Sequence, residues 1–160
     1  MPKYYHIHRS TKKSNIENNF KDGKMLFFSK KKSFWYNFEK TIGLDMGGYS
    51  EYEITIPQKY FTYSLKPQKK TKILKLTPTN IEEFIELHKN IENKYSTPMA
   101  LRDEYINKNF IGIDATNKQL EYLYKKLKYN PDSQLDRGQG WITKKLKDIT
   151  IKKVKVVKSN

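Results

Sequence analysis

The sequence predicts an α+β fold: one compact domain over residues 1–160, with a small mixed or antiparallel sheet and several flanking helices. Three observations predict it. Short runs alternate apolar and polar residues with period two, as half-buried strands do. Three Ser/Thr-x-x-Glu/Gln boxes stand ahead of helical stripes, as capping residues do. The strands and helices follow one another irregularly, without the strict alternation of a βαβ protein. A chain of 160 residues buries one good core. Only 36% of it is hydrophobic, but 12 Tyr and 8 Phe fill space with few side chains.

Tyr4, His6 and His8 alternate with Tyr5, Ile7 and Arg9, so the first strand runs here. Ser14-Asn15-Ile16-Glu17 is a capping box that opens a short helix, and Asp22-Gly23 ends it. KMLFFS, residues 24–29, is a short apolar strand. In KKKSFWYNFEKTIG, Phe34, Trp35, Phe38 and Ile42 fall on one helical stripe, so they should face the core and Tyr36 should face outward. Gly43 should stop that helix, and LDMGGYS should be a loop. EYEITIP sets Tyr52, Ile54 and Ile56 on one strand face and Glu51, Glu53 and Thr55 on the other. Tyr60 to Leu65 is extended, and KILKLT is a strand.

Thr79-Asn80-Ile81-Glu82 is the second box. Its helix carries Ile81, Phe84, Ile85, His88 and Ile91 on one stripe. Thr97-Pro98 reads as N-cap and first turn of another helix through Met99, Leu101 and Ile106. FIGID is a buried strand. Thr116-Asn117-Lys118-Gln119 is the third box, before a helix with Leu120, Leu123, Tyr124 and Leu127, which Asn130-Pro131 ends. PDSQLDRGQG is a polar loop. ITIKKVKVV is a last strand whose alternation slips at Lys152-Lys153, the mark of a bulge.

The chain has no cysteine, which excludes disulfides, thiol catalysis and zinc–thiolate sites. No apolar run follows the basic residues of MPKYYHIHRS, so no signal peptide is expected. No stretch approaches the roughly 20 apolar residues of a membrane span. The expectation is a soluble, intracellular (cytoplasmic or nuclear) protein without a membrane partner. The net charge is +15, with +7 in residues 1–40, zero in 41–117 and +8 in 118–160. A basic surface made where the ends meet would bind nucleic acid or another polyanion, through Lys30, Lys31, Lys32, Lys152, Lys153 and Lys155. Only three of the 32 basic residues are arginine, and Lys, Asn and Ile are all abundant, so the coding bias of an AT-rich genome explains the same charge.

His6 and His8 share a strand face about 7 Å apart. They lack a third histidine ligand, because His88 lies on an apolar helix stripe, and no metal is expected. Glu51 and Glu53 pair on a strand face, where two carboxylates ordinarily sit in water beside lysines of a neighbouring strand. Ser29 ends a strand just before a helix, where a hydroxyl sits at a cleft rim or caps the helix. Lys30-Lys31-Lys32 then stand at the positive end of the helix dipole, a conflict that a bound anion relieves. Phe34, Trp35 and Tyr36 beside those lysines suit base stacking. RGQGW, from Arg137 to Trp141, suits ligand contact or a plain turn.

Taken in order, YYHIHRS, then GKMLFFSKKKSFWYNF, then YEITIP with KILKLT and TNIEEF resemble an ADP-ribosyltransferase-type fold. The resemblance implies a nucleotide-binding domain, active or degenerate, that uses NAD or a related nucleotide. It implies that His6 or His8 orients the dinucleotide, that Ser29 contacts its ribose with Tyr36 nearby, and that Gln139 holds the acceptor side. His8, Ser29 and Gln139 would then be the catalytic group. Gln139 stands where that family has a Q/E-x-E motif, and an amide does not stabilise an oxocarbenium charge as a carboxylate does. The alternative is a non-enzymatic, basic nucleic-acid-binding protein. The first reading predicts a concave pocket lined by His8 and Ser29, and the second a broad positive surface without one.

Overall fold

In the computed structural model, which describes residues 3–11, 16, 20–21, 23–89, 97, 100–129 and 140–159, the chain is α+β. Its contacts divide it into two compact units, Met1–Gln58 with Arg137–Asn160, and Lys59–Asp136.

The first unit holds strands β1 (Lys3–His8), β2 (Leu26–Phe28), β3 (Gly48–Thr55), β7 (Gly140–Ile142) and β8 (Thr150–Lys158), and helix α1 (Phe34–Asp45). β1, β3 and β8 form an antiparallel sheet with β3 in the centre. β2 pairs antiparallel with β7, Phe27 opposite Trp141. The first and last strands are therefore separated by β3. β3 starts earlier than the sequence pattern implies and takes in part of the expected loop. Gly48 makes this possible: its φ is +137°, and a Cβ there would meet the Val157 carbonyl oxygen at 2.3 Å. The expected bulge is present in β8: Glu51 pairs with Lys155 and Tyr52 with Lys153, so Val154 is the extra residue.

Ser33 caps α1, its hydroxyl accepting from the Tyr36 N–H at 3.1 Å. The buried face of α1 is not the expected one. Tyr36 is buried among Ile7 and Tyr49, whereas Phe34 is 69% and Phe38 38% exposed. Gly43 does not end the helix, which continues to Asp45. It lies at the contact with β3, where a Cβ would come within 2.7 Å of Tyr49 Cβ.

The second unit places β4 (Phe61–Thr62), β5 (Ile73–Lys75) and β6 (Gly112–Asp114) in parallel. Helix α2 (Pro78–Lys89) follows β5. A π-helical turn (Leu101–Ile106) runs into α3 (Asn107–Asn109), and α4 (Asn117–Lys126) follows β6. Ile81, Phe84, Ile85 and His88 are buried on α2 as their spacing requires. The box of α2 is displaced from Thr79: Thr77 Oγ1 accepts from the Asn80 N–H at 3.1 Å, and Asn80 Oδ1 accepts from the Thr77 N–H at 2.6 Å. Pro78 is thus the first helical residue, where its missing N–H costs nothing. The Thr116–Gln119 box forms as expected, with both bonds made. His88 packs against the Phe84 and Tyr105 rings at 4.3 and 4.5 Å. Most of the expected Ser14–Asp22 helix, Ile91, Pro98, Met99, Asn130-Pro131 and the PDSQLDRGQ loop lie outside the described residues.

Candidate functional site

The site begins with a backbone fork in the first unit. Tyr5 and Ser29 exchange both backbone hydrogen bonds, at 2.8 and 2.9 Å, and join β1 to the end of β2. Along antiparallel strands every second residue turns its N–H and C=O to the same side. Ile7 and Phe27 therefore face each other across the next step, and there the strands part. The Phe27 carbonyl is taken instead by the His6 side chain, whose Nδ1 donates to it at 2.7 Å. This fixes the His6 tautomer, with the proton on Nδ1 and a lone pair on Nε2. Nε2 is buried with no donor among the described residues.

A cavity of about 90 Å³ occupies the fork. Tyr5, His6, Ile7, Phe27, Phe28 and Ser29 line it from the strands, and Trp35, Tyr36 and Glu39 from α1. Residues 35, 36 and 39 are one face of a helix, which is why α1 can wall the fork. Arg9 grips Glu39 in a two-pronged pair at 2.7 and 2.8 Å. The Tyr36 hydroxyl donates to Glu51, and Lys31 lies 3.9 Å from the same carboxylate.

Burial sets the charge state of these groups. Desolvation lowers the pKa of His6 to about 4, so its ring is neutral at pH 7; the bond to Phe27 opposes this only in part. Burial and then Lys153 lower His8 as well. Burial, and then the bond to Glu51, push the Tyr36 hydroxyl above its ordinary range and keep it a donor.

Of the residues singled out from the sequence, His6, Ser29 and Tyr36 meet at this cavity. His8 does not line it. It sits opposite Ser50, on the sheet face that also carries His6, Tyr52 and Lys153. Ser29 is buried and caps no helix; Ser33 does that. Tyr36 is buried rather than outward-facing, because its ring fills the α1–sheet contact while its hydroxyl reaches Glu51. Glu51 is 5% exposed and not solvated, whereas Glu53 has the expected lysine partner, Lys3 at 3.5 Å. Gln139 lies outside the described residues. Glu39 and Tyr5 were not anticipated; the 35-36-39 spacing carries the signal for Glu39, once Tyr36 is taken as the inner residue.

The lysines of β8 do not gather. Lys155 and Lys152 stand opposite Glu51 and Glu53 on one face, and Lys153 opposite Tyr52 on the other, its ammonium 5.6 Å from the Tyr52 ring centroid. The bulge at Val154 separates them, and the glutamates of β3 lie between β8 and β1. Among the described residues no three His, Asp or Glu side chains converge as metal ligands, and no helix is long and apolar enough to cross a membrane. In comparisons with known proteins, no family model, no curated protein and no solved structure matches the chain.

Proposed function

We propose that the fork between β1 and β2 is a nucleotide-binding site of the ADP-ribosyltransferase type. One observation carries the reading: His6, Ser29 and Tyr36, drawn from three separate stretches of sequence, line a single cavity. The lining also suits a flat, amide-bearing ring. Tyr5, Phe27, Trp35 and Tyr36 offer aromatic surfaces. The parted strands offer the Ile7 N–H and C=O and the Phe27 N–H, which pair with a planar amide as a neighbouring strand would. A volume of about 90 Å³ admits one ring of a dinucleotide such as NAD. Pockets that enclose a whole ligand are roughly 300–1,000 Å³, so the remainder would lie outside the fork. When bound, the dinucleotide supplies a glycosidic bond that can be cleaved. The chain supplies orientation through the neutral His6, the Ser29 hydroxyl and the Arg9-held Glu39.

The test is a thermal-shift and calorimetric titration with NAD, ADP-ribose, nicotinamide and AMP. A ligand at a hundredfold excess over its dissociation constant adds about 2.7 kcal/mol of apparent stability. NAD and nicotinamide should raise the melting temperature, and Trp35→Ala should remove the shift. No shift with any of the four, or an undiminished shift in the variant, would overturn the reading.

A further inference from the structure

The outer side of α1 carries a second surface, which shares Trp35 with the fork but is otherwise built from residues that do not line it. Phe34, 69% exposed, lies 5.9 Å from Phe38 with the rings 23° apart, close to parallel. Trp35 packs edge-on to both, at 5.6 and 5.4 Å. Three contiguous aromatic side chains, one of them mostly bare, are costly in water unless something covers them. Lys30, Lys31 and Lys32 are exposed immediately before the helix. Lys31 is drawn toward Glu51 and the Tyr5 ring, at 3.9 and 4.7 Å, which leaves Lys30 and Lys32 as the exposed cations next to Phe34 in the chain. α1 has no acidic residue in its first turn to offset them.

We infer that Phe34, Trp35 and Phe38, flanked by Lys30 and Lys32, are a stacking platform for single-stranded nucleic acid. The charge decides the occupant. The first unit holds 18 Lys and Arg against 7 Asp and Glu, so a second copy laid on this face would bring two strongly positive bodies together. A nucleic-acid strand supplies what both halves of the surface need. Its bases have flat faces for the rings, and its phosphates are anions for the lysines. A duplex hides its base faces and meets only the lysines, so the platform distinguishes single strands from duplexes.

The protein carries its own reporter. Of its two tryptophans, Trp141 is fully buried and Trp35 is not; Trp35 faces both surfaces, so its quenching by a strand reports the platform where Phe34→Ala with Phe38→Ala, which leaves the fork lining intact, abolishes it. The experiment titrates full-length protein with a labelled DNA strand, the RNA strand of the same sequence and the DNA duplex, at several salt concentrations. Both single strands should bind more tightly than the duplex and quench tryptophan emission; the two arms show which sugar is preferred. Phe34→Ala with Phe38→Ala should weaken single-strand binding roughly tenfold or more and leave duplex binding and the salt slope unchanged. Lys30→Gln with Lys32→Gln should flatten the logarithmic salt slope for single strands by about 1.4, two phosphates' worth. Far-ultraviolet circular dichroism checks folding, and nucleotide binding in the fork should persist in Phe34→Ala/Phe38→Ala, because neither residue lines it. Equal affinity for strand and duplex, or strand binding unchanged by the aromatic substitutions, would sink the inference. So would concentration-dependent self-association that those substitutions abolish, which would make the patch a contact between copies.

Discussion

Glu51 owes its buried position to two donors of different kinds. The Tyr36 hydroxyl gives it a hydrogen bond, and the Lys31 ammonium a partly exposed counter-charge. Removing one partner of a buried polar pair costs the desolvation of the group left behind, about 1–3 kcal/mol and more when it is charged. Tyr36→Phe should therefore destabilise the protein by about 2 kcal/mol in urea unfolding. Combined with Glu51→Gln, it should cost less than the two separate losses added together, because the partners are coupled. His6 gives a second, opposite kind of test. Its pKa is about 4 folded, against 6.5 for free imidazole. Between those values the unfolded chain binds a proton that the folded chain refuses, so stability falls as pH drops from 6.5 toward 4. The loss is on the order of 3 kcal/mol. His8, lowered by burial and Lys153, adds to it in the same direction. Chemical denaturation of wild type and His6→Asn across this range should give a visibly shallower pH dependence in the variant; parallel curves would mean the ring charges freely in the folded state.

Elements were legible in the sequence where their signals are local. The Thr116–Gln119 box is contained in four residues and forms as written. The stripe of α2 is legible because no other face of that helix is apolar, and Phe84→Ala there should cost about 3–5 kcal/mol while the exposed Glu83→Ala costs almost nothing. α1 was not legible, because it is aromatic on two overlapping faces. Phe34, Trp35 and Phe38 form one stripe, and Trp35, Tyr36 and Glu39 the other. Periodicity cannot rank them. What selects the second is contact far along the chain: Tyr49 of β3 approaches at Gly43, and the Tyr36 hydroxyl meets a carboxylate fifteen residues on. The same holds for the site. His6 and Ser29 stand out in the sequence by residue type and by their places on short strands, but the fork that joins them exists only because one backbone bridge forms and the next does not. Gly43→Ala tests the α1 contact. Alanine is favoured over glycine in a helix by about 1 kcal/mol, yet its Cβ would sit 2.7 Å from Tyr49 Cβ. Overpacking should win, with a net loss of about 1–3 kcal/mol in thermal or urea unfolding. A gain would show that β3 yields at this point.

At the scale of the whole chain, the charge tally was read correctly and its layout was not visible. The two basic ends do reach the same sheet, but β3 runs between them and faces them with Glu51 and Glu53. The layout of the β8 lysines suits the guarding of a sheet edge, and that role makes a prediction of its own. β8 is the outer strand beside β3, with Val154 and Val156 43% and 44% exposed. An open edge of exposed valines is a template for pairing with another copy, and lysines along it are a standard way of preventing that. Lys152, Lys153 and Lys155 point to both faces, as a guard on an edge should and a phosphate-binding row should not. Replacing all three with Gln lowers the net charge from +15 to +12. The consequence should be association rather than loss of ligand: light scattering that rises with protein concentration, and a solubility limit below that of wild type. Single-strand affinity should fall less in this triple variant than in Lys30→Gln with Lys32→Gln, although three charges are lost instead of two. A triple variant that stays monomeric and loses most of its nucleic-acid binding would reverse the assignment and put the phosphates on β8.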